Sequence, residues 1–280
     1  MGRVETYEND VKKIQKLNLT SDIFISKVLE DPSVLEELLH LITNQKWKIH
    51  QMRGQYCIRQ LVTHSVVLDV YAEDEDGRIV HLEIQNRDDD CHPKRVRYYR
   101  GCIDTTLLDT GVKYEKLPEL IQIFVTKNDF TGSGKTIIYN EKTIDDGVTE
   151  LYFNLSAKDG KSEALEELQE YMLETIPENE SKYFPKLVTR VRFLKNETKG
   201  VREMCEIFDE ERRISREEGR IEGKAEGLQN AVVFLLGKLG NVPQAIRSLI
   251  AEQEDEICLQ NWIGLAAMVT SVEEFKKLIE

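Results

Sequence analysis

Apolar positions set two different rhythms along this chain. Ile23, Phe24, Val28, Leu35, Leu38, Leu39 and Ile42 recur every three or four residues, which predicts a pair of helices over residues 22–44. Ser21 or Asp22 can cap the first, and Pro32 suits the first turn of the second. Residues 1–20 are polar and weakly patterned, so a flexible N-terminus is expected there. The rhythm then shortens to two. Residues 55–62 are compatible with a strand, and residues 66–72 (Val-Val-Leu-Asp-Val-Tyr-Ala) form a compact apolar run with a single acid, Asp69. Residues 78–85 alternate, with Ile79, His81, Glu83 and Gln85 on one face and Val80, Leu82 and Ile84 on the other. Between these two runs lies Asp74-Glu75-Asp76-Gly77, whose Asp-Gly is a hairpin signal, so the two strands should pair.

A polar loop is expected at residues 86–92, then a helix over 93–108 with Pro93 in its first turn and Gly111 closing it. Apolar runs at 117–127, 136–140 and 149–155 read as strands, separated by a loop around 130–133. From residue 162 onward the pattern is helical, over 162–175, 181–196 and 200–228. The expected organisation is therefore an α/β core over residues 21–180, a helical extension over 181–230 and a small helical module over 231–280. In that module Val242-Pro243-Gln244 starts one helix, and Ser271-Val272-Glu273-Glu274 forms a capping box for the last. Residues 218–227 repeat Glu-Gly every fourth position, at Gly219, Gly223 and Gly227. Each glycine inside a helix costs about 1 kcal/mol relative to alanine. Two readings are open: a face for close backbone approach and self-association, or a flexible linker.

The formal net charge of −13 argues against a general nucleic-acid binder, but the charge is uneven. Residues 94–100 hold four basic side chains and no acid, and residues 182–202 hold seven against Glu197 alone. Such local patches decide where a polyanion docks. No apolar run approaches the roughly 18 residues that cross a bilayer. Five dispersed cysteines without a Cys-x-x-Cys fit reduced thiols, hence a cytoplasmic setting. Cys91 and His92 adjoin but match no zinc spacing.

The chemistry concentrates in residues 66–100. Asp69 sits among valines and leucine, where an unpartnered carboxylate is costly to bury. Glu83 stands on the strand that the hairpin pairs with it, with Gln85 on the same face. Two carboxylates suffice for Mg²⁺, whose remaining positions take water and phosphate. Such an ion serves phosphodiester hydrolysis by acidifying water and neutralising developing charge. The plainer readings are an exposed or Arg59- or Arg78-paired Asp69, one more outward polar residue at Glu83, and a solvated basic face at residues 94–100.

Asp69, then Glu83-Ile84-Gln85, then Arg95-Val96-Arg97-Tyr98-Tyr99 resembles the PD-(D/E)xK nuclease superfamily. More closely, it resembles the recombination-promoting nuclease and transposase-like family of bacteria. Asp22-Ile-Phe-Ile-Ser-Lys-Val-Leu, Gly111-Val-Lys-Tyr-Glu-Lys-Leu-Pro-Glu-Leu-Ile-Gln-Ile and the Glu-Gly repeat belong to the same ordered set, spanning roughly residues 20–230. The resemblance implies a restriction-endonuclease-like core: a mixed central sheet flanked by helices. It also implies a Mg²⁺-dependent DNA endonuclease, with Mn²⁺ as an alternative ion. Asp69 and Glu83 would hold the metal, and Gln85 would stand where the superfamily carries its signature lysine. The chain departs from the pattern in having Leu68 where a proline is common and a neutral Gln85, which orients water but carries no charge. Arg95 is then the expected source of positive charge, with Lys94, Arg97 and Arg100 the candidates for DNA phosphates. The rival class is a nuclease fold retained as a DNA-binding or protein-interaction module without turnover. A transposase proper would need a third acid downstream, for which Glu150, Glu163 and Glu166 are the candidates.

Overall fold

The computed structural model describes residues 2–59, 64–86, 92–108, 110–141 and 143–279, with side chains from Thr6 on. It divides into two compact units, residues 1–205 and 206–280.

The first unit is built on a six-stranded mixed sheet in the order β1-β2-β3-β4-β6-β5. Its strands are β1 (Ile49–Ile58), β2 (Val66–Asp74), β3 (Ile79–Gln85), β4 (Leu120–Thr126), β5 (Ile137–Tyr139) and β6 (Val148–Asn154). The first three form an antiparallel meander, and β3, β4 and β6 run parallel. The short β5 closes one edge antiparallel to β6. Every residue of β3 and β4 is buried, as expected of central strands covered on both faces. The alternation seen in residues 78–85 is therefore not one of core against solvent. His81, Glu83 and Gln85 are as buried as Val80, Leu82 and Ile84. The strand expected at 55–62 starts earlier, at Ile49, and residues 60–63 lie outside the described residues.

The hairpin from β2 to β3 is locked by its turn. Gly77 adopts φ +78°, and the buried Asp74 carboxylate accepts from Asp76 N–H, Arg78 N–H and Arg78 Nε. The Arg78 guanidinium also stacks 4.0 Å from the Trp47 ring centroid.

Helix α4 (Pro93–Leu107) forms the crossover between parallel β3 and β4. Pro93 takes the first turn, and His92 Nδ1 accepts from Lys94 N–H at 3.1 Å. Its Tyr99, Cys102 and Ile103 pack with Leu68, Ile79 and Leu120, and its Val96 packs with Phe124 and Tyr152. Helices α2 (Asp22–Val28) and α3 (Pro32–Thr43) are the pair read from the sequence, with Asp31 capping α3 through Ser33 N–H at 2.9 Å. They pack with α5 (Glu163–Glu174) and α6 (Pro185–Asn196).

The segment expected to be a flexible N-terminus instead holds α1 (Gly2–Lys16) and a buried Leu19. Its anchors come from far along the chain: Gln15 Nε2 donates to the Lys195 carbonyl, Asn18 Nδ2 to the Leu173 carbonyl, and Leu19 N–H to Thr175 Oγ1. No local pattern carries that information. Likewise α6, assigned in sequence to an extension beyond the core, belongs to the first unit, because Leu187, Val188, Val191 and Leu194 are buried among the core helices. The basic run at residues 182–202 is divided: Lys182, Lys186, Lys199 and Arg202 are exposed, while Arg190, Arg192 and Lys195 are engaged by the fold. Lys195 is 1% exposed and donates to the Gln15 and Thr175 carbonyls, while Arg190 binds the Lys27 carbonyl.

The division between the units falls inside α7 (Thr198–Gly237). Near its start, a Cβ on Gly200 would lie 2.1 Å from the Phe193 carbonyl oxygen. Gly200→Ala should therefore cost roughly 2–4 kcal/mol in a denaturant melt, since neither backbone can yield cheaply. Gly219→Ala should instead stabilise by about 1 kcal/mol, because its Cβ meets nothing within 4 Å. Equal effects at the two sites would refute this account of the corner.

In the second unit, the end of α7 packs with α8 (Gln244–Glu252), α9 (Glu256–Met268) and α10 (Val272–Ile279) around Leu236, Ile250, Leu259, Trp262 and Phe275. Ser271 Oγ accepts from Glu274 N–H, but Glu274 returns its bond to Thr270 N–H at 2.8 Å. The Glu-Gly repeat lies in continuous helix, not in a flexible linker. Among the described residues, a Cβ on Gly219, Gly223 or Gly227 would meet nothing within 4 Å, and nothing else in the structure supports self-association through the repeat.

Candidate functional site: a carboxylate cleft at the splayed hairpin

The antiparallel ladder between β2 and β3 pairs Glu73 with Ile79, Tyr71 with His81 and Val70 with Leu82. One step beyond, side chains take over from backbone. Asp69 N–H donates to Glu83 Oε1 at 3.3 Å, and Ile84 N–H donates to Asp69 Oδ2 at 3.0 Å. The two strands part here, and the two carboxylates hold the opened end.

A cleft of about 410 Å³ opens at this point, lined by Asp22, Gln55, Val67, Asp69, Glu83, Ile84, Gln85, Asn86 and Arg95. Asp69, Glu83, Gln85 and Arg95 are thus brought together from two strands and the first turn of α4. Gln85 Nε2 donates to Glu83 Oε2 at 3.0 Å, which fixes the direction of its amide. Arg95 Nη2 donates to Tyr99 Oη at 2.8 Å, with the guanidinium 5.1 Å from the Tyr99 ring centroid. Its charge acts on Glu83 and draws that carboxyl downward.

Burial dominates nonetheless. It pushes Glu83, 2% exposed, up to about 7. Burial, followed by the charge of Glu83, pushes Asp69 up to about 6. Two carboxylates held this way titrate as a pair. Burial and mutual repulsion oppose their full ionisation below about pH 7, and a bound cation would favour it. The donors are hard oxygens, the kind Mg²⁺ takes. Among the described residues no three His, Cys, Asp or Glu side chains gather closely enough to cage a cation. A cation here would therefore rest on Asp69 and Glu83 and complete its shell with water or phosphate oxygens.

Four residues at or behind the cleft escaped the sequence reading as site members: Asp22, Gln55, His81 and Gln122. Gln55 sits in β1 at φ +47°, a conformation that non-glycine residues adopt only where surroundings enforce it. From there its Nε2 donates to Asp69 Oδ1 at 3.1 Å and to Ser26 Oγ at 3.2 Å. No motif flags it; only strand pairing does. His81 shares its strand face with Glu83. It is fully buried, and its Nε2 lies 2.9 Å from Glu83 Oε1.

The other expected residues fall outside the cleft lining. Lys94 and Arg97 are exposed on the first turns of α4, while Arg100 is engaged by Asp146 at 2.5 Å. Cys91 lies outside the described residues. The acids considered for a transposase third ligand are bound elsewhere: Glu150 accepts from Tyr152 Oη, Glu163 from Tyr183 Oη, and Glu166 from Gly160 N–H. No described helix is long and apolar enough to cross a membrane.

Neither curated proteins nor solved structures give a match to this chain. The family model of the PD-(D/E)XK nuclease family transposase matches residues 30–217, more than half of the chain, and spans both acids, Gln85 and Arg95. The six-stranded mixed sheet with its flanking helices is consistent with the restriction-endonuclease-like core of such proteins, and the chain belongs to the PD-(D/E)XK nuclease family transposases.

Proposed function

We propose that the chain is a divalent-metal-dependent DNA endonuclease, linked to recombination or mobile elements. One observation carries this reading: two acids from paired strands, a glutamine and an arginine converge on one open cleft where the strands part. Asp69 and Glu83 would hold the cation. When bound, Mg²⁺ or Mn²⁺ supplies Lewis acidity, making water a better nucleophile and neutralising phosphate charge. Gln85, its amide NH₂ committed to Glu83, turns its carbonyl to receive a water hydrogen. Arg95 supplies the positive charge that a lysine at position 85 would give. Lys94 and Arg97, exposed beside it, suit phosphates of the DNA backbone, a contact that is independent of sequence and weakened by salt. Arg100 would have to leave Asp146 to join them.

The neutral Gln85 favours one second reading: a nuclease fold kept for binding without turnover. The test is supercoiled plasmid incubated with the purified chain and Mg²⁺, Mn²⁺ or chelator. Cation-dependent nicked or linear product is expected. Retention of the DNA in a gel shift without any product under either cation would favour the binding module instead.

A further inference from the structure

We propose that Gln122 and His81 are positioning residues for Glu83: the Gln122 amide holds His81 in its neutral Nε2–H tautomer, and that N–H pins the Glu83 carboxylate for a divalent cation. The proposal rests on the reading of the cleft as a cation site, and goes beyond it in assigning two residues that do not line the cleft.

His81 is fully buried, between the Tyr99 ring at 5.8 Å and the edge-on Phe124 ring at 5.6 Å. Its two nitrogens have one neighbour each. Nε2 lies 2.9 Å from Glu83 Oε1, and Nδ1 lies 3.2 Å from Gln122 Nε2. A neutral imidazole has one donor and one acceptor. Opposite an ionised Glu83, which only accepts, a neutral ring carries its proton on Nε2. Nδ1 is then an acceptor, and the amide NH₂ of Gln122 is the donor that meets it. The parallel register places these residues side by side, His81 on β3 against Gln122 on β4.

Glu83 thereby receives three hydrogen bonds: Asp69 N–H and His81 Nε2–H on Oε1, and Gln85 on Oε2. Together they fix the plane of the carboxylate and favour its charged form against burial. The arrangement has a cost that plain packing does not explain. Gln122 is fully buried, and its Oε1 has no hydrogen-bond partner among the described residues. A buried carbonyl without a partner is destabilising, and apolar residues at positions 81 and 122 would avoid it. The orphan acceptor follows from aiming the NH₂ at His81. Supports behind a metal-binding carboxylate typically matter 10–100-fold in affinity.

The test has two parts. In ¹⁵N-histidine-labelled full-length protein, long-range ¹H–¹⁵N spectra report the His81 tautomer, with His81→Gln assigning the signal. Neutral, Nε2-protonated His81 is expected. In calorimetric titration with MgCl₂ and MnCl₂, Gln122→Met should weaken binding by about 10–100-fold in the wild-type background. A wild-type ring protonated on Nδ1, or undiminished cation binding by folded Gln122→Met, overturns this proposal while leaving the cation site standing. A wild-type protein that binds neither cation overturns the reading of the site, and this proposal with it. The tautomer measurement needs no variant at position 122, so a poorly folding Gln122→Met cannot shield the idea.

Discussion

Asp69→Ala and Glu83→Ala should each lower cation-dependent plasmid nicking by about 10³-fold or more. Holding a divalent cation contributes several kcal/mol of transition-state stabilisation, and each 1.36 kcal/mol is tenfold in rate. The two acids face the cleft from adjacent strands, so removal of either leaves one member of the pair for the ion. The fold should survive. Asp69→Ala releases Ile84 N–H and the Gln55 amide at the open end of the hairpin, and removes no member of the sheet's apolar clusters. Glu83→Ala strips partners from His81 and Gln85 and should cost about 1–3 kcal/mol of stability. Circular dichroism confirms folding before activity is compared. Wild-type rates from either folded alanine variant would remove these residues from the mechanism.

The second expectation runs against the usual effect of mutating buried, hydrogen-bonded residues. Asp69→Asn and Glu83→Gln should stabilise the metal-free protein at pH 8, each by about 1–3 kcal/mol, from the 1.36 kcal/mol that accompanies each pKa unit. Folding raises Asp69 from its ordinary 3.8 to about 6 and Glu83 from 4.5 to about 7, chiefly by burial. Between those values the folded state binds more protons than the unfolded chain, so stability falls as pH rises from about 4 to 7. Above 7 the penalty is complete, and below 4 it is absent. The amide variants escape it, so their advantage should grow over the same window. Melting temperatures should rise by roughly 2–4 °C per kcal/mol in a unit of this size. Added Mg²⁺ should stabilise wild type and not the variants, narrowing or reversing the gap, because ligand binding to the folded state alone shifts stability by mass action. Variants less stable than wild type at pH 8 would mark the acids as structural members of the hairpin. Stability given up at a site in exchange for function is a common trade.

These expectations depend on features of unequal legibility. The hairpin was readable, because Asp76-Gly77 between two apolar runs is local chemistry and Gly77 takes the positive φ that such a turn requires. So was α4, through Pro93 and the spacing of Val96, Tyr99 and Ile103. Asp69, Glu83, Gln85 and Arg95 could be singled out because hairpin and helix lie within one stretch of chain, where pairing follows from the turn. The order of the pattern, matched by the family model over residues 30–217, added what no single residue type carries. Gln55 and Gln122 were not readable, since their relation to Asp69 and to His81 exists only through strand neighbours 14 and 41 positions away. The basic run at residues 182–202 was readable only in part. Composition points to a surface for polyanions, and Lys182, Lys186, Lys199 and Arg202 are exposed, but tertiary contacts place Lys195 at 1% exposure among carbonyl groups.

By itself, then, the sequence determined the elements whose signals are short-ranged: the helices and strands of the core, the hairpin and the two acids it sets side by side. Turn chemistry and side-chain periodicity act within a few residues, so they are written where they act. Only the tertiary structure decided that β3 is buried on both faces, that α1 is anchored by residues 173–195, and that the strands part at Asp69 so that carboxylates replace ladder bonds. Each of these depends on desolvation by distant segments. Burial by those segments, more than the identity of the acids, lifts this pair of carboxylates from the ordinary carboxylate range toward neutral pH.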